Sequence, residues 1–248
     1  QHPPSFPLRG QLKDRAVATL LKGLAAQNPG LCVLTTRYAV KDLDGAGTSA
    51  KCHPIKRLSN DAGAALLIML GVHGRAGELK DAVEEVRGHA LTLNLLGRYL
   101  CDAYAGDIRR RDQVRFEEAD NEEQGGHAFR VMDHYVAWFE TDQAGRQAIA
   151  LLRLMGLFDR PAGAPAFAAL LREPVLVGLT EEVAGLREAQ RNILLTRLEA
   201  TQLLTISRDG QTPVAYDAHP LVREYFAQRL KDIYPEAWRE GHRRLFEY

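Results

Sequence analysis

The chain has 248 residues, of which 46% are hydrophobic and 26% are charged, a balance typical of a soluble globular protein and not of a disordered or fibrous one. Its 32 basic residues equal its 32 acidic residues, so the net charge does not favour nucleic acid or an anionic membrane, and either role would need a local patch. No window approaches the roughly 20 apolar residues of a membrane span. Three cysteines without metal-ligand spacing and no leader sequence predict reduced thiols in a cytoplasmic protein.

The first predicted element is a helix over residues 14–27, where apolar side chains recur at helical spacing and Asn28-Pro29-Gly30 follows as a stop. Residues 31–34 (LCVL) are continuously apolar and bounded by turn signals, which predicts a buried strand of a parallel sheet. That strand leads into Thr35-Thr36-Arg37. Open α/β sheets bind ligands at the carboxyl ends of their strands, so these side chains are candidates for binding; the alternative is that Arg37 is a solvated loop residue.

Helices dominate the next part of the chain. Residues 54–58 are a further candidate strand, and Ser59 is a suitable N-cap for a helix that runs to about residue 70. Two amphipathic helices, predicted over residues 78–86 and 90–104, are separated by Arg87-Gly88-His89. Helices over residues 129–139 and 144–157 follow, and two more are predicted over residues 165–171 and 181–199.

The most distinctive stretch covers residues 201–229 (TQLLTISRDGQTPVAYDAHPLVREYFAQR). Two short β-leaning runs flank the tight-turn dipeptide Asp209-Gly210, and His219-Pro220 then opens a helix with apolar residues at helical spacing. Proline suits the first helical position because its missing N–H is not needed there. The pattern predicts a helix, a β-wing and a second helix, with His219 held at the joint between strand and helix.

Motifs for self-sufficient catalysis are absent from the sequence. The glycine-rich stretches 45–51 and 71–77 lack the glycine-lysine-hydroxyl ending of a phosphate-binding loop, and we interpret both as ordinary loops. No nucleophile elbow, zinc-binding helix or close Cys/His cluster occurs. We therefore predict that this chain alone has no catalytic residues and no metal site.

Taken in order, three motifs resemble the carboxyl-terminal half of the nucleotide-binding core in STAND-class P-loop ATPases, the signalling switches that include NB-ARC and NACHT proteins. Thr35-Thr36-Arg37 resembles the end of that family's sensor strand, and residues 87–93 (RGHALTL) are similar to its Gly-Leu-Pro-Leu motif. Residues 217–221 (DAHPL) are similar to its Met-His-Asp motif. The resemblance implies a mainly α fold with a small α/β remnant: the end of a parallel P-loop sheet, a helical bundle and a winged helix.

The same resemblance implies roles for individual residues. Arg37, beside Thr36, would sense the terminal phosphate of ATP. Gly88 and Ala90 would lie against the adenine, although Ala90 stands where the family has proline. His219 would reach the β-phosphate of ADP and hold the closed state, with Pro220 in place of the family's aspartate.

By resemblance the chain divides into the end of an α/β domain (residues 1–58), a helical domain (59–140), a winged helix (141–232) and the start of a helical region (233–248). The parent would be an ATPase that binds ATP or ADP with Mg²⁺ through a phosphate loop preceding residue 1. Without that loop, this chain should neither turn over ATP nor bind it tightly. An upstream effector, a downstream sensor and homo-oligomerisation on activation are implied, in bacterial antiviral defence or stress signalling.

Two other functions compete with the switch. A winged helix also occurs in DNA-binding regulators, and the candidate recognition helix carries Arg187, Arg191 and Arg197, although Glu188 lies among them. The other alternative is a helical interaction scaffold that binds no nucleotide. It accounts for the helices but leaves Thr35-Thr36-Arg37 and His219 as coincidences.

Overall fold

A computed structural model describes residues 8, 10–36, 39–55, 57–114 and 126–248. The chain divides into two compact units, Gln1–Lys56 and Arg57–Tyr248. The first contains helix α1 (Arg15–Ala26) and two short 3-10 helices, Lys41–Leu43 and Gly47–Ser49. The Asp14 carboxylate caps α1 by accepting hydrogen bonds from the first-turn backbone, so the helix predicted over residues 14–27 is confirmed.

The buried strand predicted over residues 31–34 is wrong for this structure. These residues form no strand, and Leu31 and Val33 are 90% and 76% exposed. A strand needs a neighbour to satisfy its backbone N–H and C=O groups, and the described residues of this unit contain no other strand. The strand predicted over residues 54–58 is wrong as well: its described residues form no strand and Ile55 is 94% exposed, although the Leu58 N–H donates to the Gly88 carbonyl.

The second unit is mainly helical. It begins with α2 (Asn60–Met69), α3 (Ala76–Glu85), α4 (Ala90–Tyr104), a 3-10 helix (Ile108–Gln113) and α5 (Gly126–Phe139). It continues with α6 (Gln143–Met155), α7 (Ala164–Leu170), α8 (Glu188–Ala200), α9 (Pro220–Ile233) and α10 (Pro235–Glu247). Ser59 caps α2, as predicted. In the part of the chain that the structure describes, no helix is both long and apolar enough to cross a bilayer.

Helix α8 begins later than the predicted residue 181. The preceding residues form turns that side chains stabilise: Thr180 Oγ1 accepts from the Leu176 N–H at 2.8 Å, and Glu181 Oε1 accepts from the Gly178 N–H at 2.9 Å. Such local bonds compete with helix formation, because they satisfy backbone groups in a non-helical conformation.

A small antiparallel sheet has the strand order β1-β3-β2, formed by β1 (Ala162–Gly163), β2 (Thr205–Asp209) and β3 (Thr212–Asp217). The predicted hairpin around Asp209-Gly210 is thus confirmed. Strand β1 was not predicted, because two residues carry no periodic pattern. It pairs with β3 through Ala162 and Tyr216, and the Tyr216 ring packs 4.6 Å from that of Phe167 on α7.

The buried apolar residues of the second unit form one continuous cluster from Ala64 on α2 to Ala237 on α10. Helix α5 contacts α4, α6 and α9, and its Tyr135 and Phe139 are among the largest fully buried side chains. The boundary predicted between residues 140 and 141 falls between α5 and α6, and buried residues on both sides belong to the same cluster.

Candidate functional site

His219 lies at the joint between β3 and α9, as its position before Pro220 predicts. It is the N-cap of α9, and its Nδ1 accepts a hydrogen bond from the Leu221 N–H at 3.2 Å. Pro220 occupies the first helical position, where its fixed φ favours the helix. His219 is exposed. The ring is therefore both anchored to the backbone and accessible from solvent.

The cap determines which ring nitrogen carries the proton. Because Nδ1 accepts, a neutral His219 ring carries its proton on Nε2, which is then a hydrogen-bond donor. The amino end of α9 carries the positive end of the helix dipole. A donor in that field is chemically suited to an anionic oxygen, such as that of a phosphate.

An ion pair braces the joint on both sides of His219. Asp217 Oδ1 accepts from the Ala218 N–H and from Arg223 Nη1, each at 2.8 Å. The Arg223 side chain is only 11% exposed, so this contact is largely shielded from water. This pair was not predicted from the sequence, although an aspartate and an arginine six residues apart across the predicted joint could have indicated it. The brace fixes the direction in which His219 leaves the joint.

An open cavity of about 210 Å³ adjoins the start of α9. It is lined by Gly156, Phe158, Asp159, Pro220, Arg223, Glu224 and Ala227. Arg160 and, more weakly, Arg223 hold the pKa of the Asp159 carboxyl below its usual range. Gly156 allows α6 to approach α9 closely, because a Cβ there would lie 2.6 Å from the Ala227 nitrogen.

Gly88 has a structural explanation that needs no ligand. Its φ is +65°, and an added Cβ would lie 2.2 Å from the Leu58 carbonyl oxygen. The Gly88 carbonyl in turn accepts from the Leu58 N–H at 2.9 Å. Only glycine satisfies both the backbone conformation and this close approach. Ala90, the first residue of α4, is exposed.

His89, between Gly88 and Ala90, was not among the predicted site residues. It is the N-cap of α4, and its Nδ1 accepts from the Thr92 N–H at 3.3 Å. Burial lowers the pKa of this histidine, and the positive charges of Arg57 and His127 lower it further. Two helices of the second unit, α4 and α9, therefore begin with a histidine that accepts a backbone hydrogen bond.

Four of the five predicted site residues lie in the described part of the chain, where they occupy three places. Gly88 and Ala90 flank the cap of α4, and His219 caps α9; α5 packs against both helices. Thr36 belongs to the first unit and is exposed. Arg37 lies outside the described residues, so its predicted role stays a prediction.

The arginines predicted for DNA recognition are partly engaged within the protein. The guanidinium of Arg197 lies 5.8 Å from the ring centre of Trp138 and 5.5 Å from that of Phe139. Arg191 is half-buried, and Arg187, the N-cap of α8, is exposed beside exposed Glu188. The outward face of α8 thus carries little net positive charge.

Within the described ranges, no three histidine, cysteine or acidic side chains converge as a metal site would require. Comparison with known proteins gives no assignment, since no protein-family model matches the chain and no curated protein matches its sequence.

Proposed function

We propose that the chain is the regulatory part of an ATP/ADP-dependent signalling switch of the NB-ARC/NACHT kind, in which His219 binds the β-phosphate of ADP and holds the closed state. The observation that carries the proposal is the His219 ring itself. It is exposed at a rigid strand-to-helix joint, and its cap leaves the proton on Nε2, the donor that a phosphate oxygen requires.

The order of elements around His219 supports the proposal. A helix, a short strand, two helices and a hairpin follow one another from α6 to β3, with the sheet order β1-β3-β2. This arrangement is the one expected of a winged helix, which we assign to residues 141–232. Helices α2 to α5 would then form the helical domain over residues 59–140.

For residues 1–58 the proposal rests on the Thr35-Thr36-Arg37 motif and on the apolar run before it. Leu31 and Val33 are largely exposed, whereas such residues are normally covered in the sheet of an α/β protein. We propose that the parent protein supplies the remaining strands together with the phosphate loop and the Mg²⁺ ligands. Bound Mg²⁺ would neutralise phosphate charge; this chain would contribute Arg37 at the terminal phosphate and His219 at the β-phosphate.

Two substitutions of His219 in the parent protein separate phosphate binding from helix capping. His219→Asn keeps an oxygen that can accept from the Leu221 N–H, whereas His219→Ala removes both cap and ring. We expect both variants to lose about fivefold to tenfold in affinity for a fluorescent ADP analogue, because each loses one hydrogen bond to phosphate. Only the alanine variant should lose stability, by about 1 kcal/mol.

A matched control is available on α10. The His242 ring packs 4.5 Å from that of Trp238 within the same helix, and His242→Asn should leave ADP affinity unchanged. The proposal fails if the parent protein with His219→Asn binds ADP as tightly as the wild type.

A further inference from the structure

Asp133 on α5 joins the helix that carries His219 to the helices before it. The Tyr225 hydroxyl donates to Asp133 Oδ1 at 2.7 Å, and the Arg229 guanidinium donates to the same oxygen in an ion pair. Asp133 lies 92 and 96 positions from these two partners in sequence. One carboxylate oxygen therefore holds α9 at two points.

The surroundings of Tyr225 make this contact hard to replace with water. Its side chain is 3% exposed, and the Phe129 ring of α5 packs edge-on against it at 5.4 Å. Burial, reinforced by the Asp133 carboxylate, raises the pKa of Tyr225. The phenol thus remains a protonated donor, and without Asp133 its hydroxyl would be buried without this acceptor.

The contact is also placed to control the start of α9. Tyr225 and Arg229 lie six and ten residues beyond His219, about 9 and 15 Å along a helix that rises about 1.5 Å per residue. Because α9 is one continuous helix from Pro220 to Ile233, a bond at Tyr225 restricts the orientation of its capped end.

We propose that Asp133 is the latch of the closed state, and that its bonds to Tyr225 and Arg229 hold the α9 cap in position to retain ADP. The inference rests on the proposed function of His219. It adds the regulation of that site: the contact crosses the predicted boundary between residues 140 and 141, so opening of the switch requires it to break.

Three substitutions in the parent protein test the latch. Tyr225→Phe removes the phenolic hydrogen bond and keeps the ring, and Asp133→Asn removes the charge that Arg229 binds. Asp232→Asn is the matched control, because Asp232 pairs within α9 with Gln228 and its substitution removes the same charge without touching α5. The measurements are the ADP dissociation rate and backbone hydrogen exchange of α9 without nucleotide.

We expect Tyr225→Phe and Asp133→Asn each to speed ADP dissociation and α9 exchange by about fivefold to tenfold. The double variant should show less than the product of the two effects, because both substitutions weaken one cluster. Asp232→Asn should match the wild type. Unchanged α9 exchange in both single variants would overturn the latch.

A second outcome separates the latch from the site that it controls. If His219→Asn weakens ADP binding while Tyr225→Phe and Asp133→Asn leave the dissociation rate unchanged, the latch is wrong and the His219 site stands. If His219→Asn binds ADP normally, the proposed function itself fails, and the latch fails with it as a regulator of ADP.

Discussion

The guanidinium of Arg223 donates to the carboxylate of Asp217 at 2.8 Å, closing the joint from which His219 projects. Asp217→Ala would remove the hydrogen-bonded counter-ion of a guanidinium that is only 11% exposed, leaving it only the weaker influence of Asp159. We expect the free energy of unfolding to fall by about 2–3 kcal/mol in urea titrations, because a shielded charge loses its hydrogen-bonded partner.

A second aspartate-arginine pair is the control for this prediction. Asp159 and Arg160 also form an ion pair, but their side chains are 83% and 80% exposed. Asp159→Ala should therefore change the free energy of unfolding by less than about 1 kcal/mol. Equal losses from Asp159→Ala and Asp217→Ala would show that the brace at the β3–α9 joint has no special stabilising role.

Gly88→Ala should destabilise the second unit strongly. The added methyl group would lie 2.2 Å from the Leu58 carbonyl oxygen, and the φ of +65° is unfavourable for alanine. Gly77→Ala is the matched control, because Gly77 lies in α3 with nothing within 4 Å of the added Cβ. We expect thermal melting to show a large loss of folding stability for Gly88→Ala and a gain in stability of up to about 1 kcal/mol for Gly77→Ala.

The cap of α4 should make stability depend on pH. Burial lowers the pKa of His89 in the folded state, so the unfolded chain binds more protons between that pKa and the unperturbed value near 6.5. The free energy of unfolding should accordingly rise with pH across this interval and fall on acidification below pH 6.5. Protonation also turns Nδ1 into a donor, which can no longer accept from the Thr92 N–H.

The substitution His89→Asn tests the source of this pH dependence. Asparagine caps helices well and does not titrate, so the variant should retain α4 and show a flatter stability profile between pH 7.5 and 5.5. His134 and His242, whose pKa values burial also lowers, leave a residual slope in both proteins. A variant profile as steep as that of the wild type would exclude His89 as the source.

Arg244 on α10 should contribute far more to the free energy of unfolding than its sequence neighbour Arg243. It is 8% exposed and donates to the backbone carbonyls of Leu170, Arg172 and Pro174. Arg244→Met would leave those carbonyls short of donors, and we expect a loss of about 3 kcal/mol in chemical denaturation. Arg243→Met, at a side chain 54% exposed, should leave the free energy of unfolding nearly unchanged.

Helix α8 should not read DNA. Arg197 is engaged with Trp138 and Phe139, and Arg208 forms a paired contact with Glu199. We expect no mobility shift with duplex DNA at about 50 mM salt, where phosphate contacts are strong. A shift that weakens steeply with salt would instead favour the DNA-binding alternative.

Local signals predicted the helices better than the strands. Helix α4 spans the predicted residues 90–104 because its apolar periodicity and its capping residue agree. Residues 31–34 show the limit of such signals. An apolar run indicates a tendency to be buried, but it does not specify the partner strand with which it would have to pair. Strand β1 exists only because β3 lies beside it, and its two residues carry no pattern of their own.

The same limit applies to the candidate site. The position of His219 at the strand-to-helix joint could be predicted, because Pro220 fixes the helix start beside it. The contact between Asp133 and Tyr225 could not, because it depends on how two helices 92 positions apart come together. Gly88 was predicted as a ligand residue, yet its φ and its approach to Leu58 supply a reason for glycine that depends on the tertiary structure.

The single apolar cluster of the second unit affects how often the proposed switch would activate without a stimulus. Separating α5 from α9 would bring Tyr225 and its buried apolar neighbours into water, at about 25 cal/mol for each Å² of apolar surface uncovered. Thermal motion alone would seldom separate α5 from α9. Activation without a stimulus should therefore be rare, and the stimulus must supply enough binding energy to offset the cost of exposing this apolar surface.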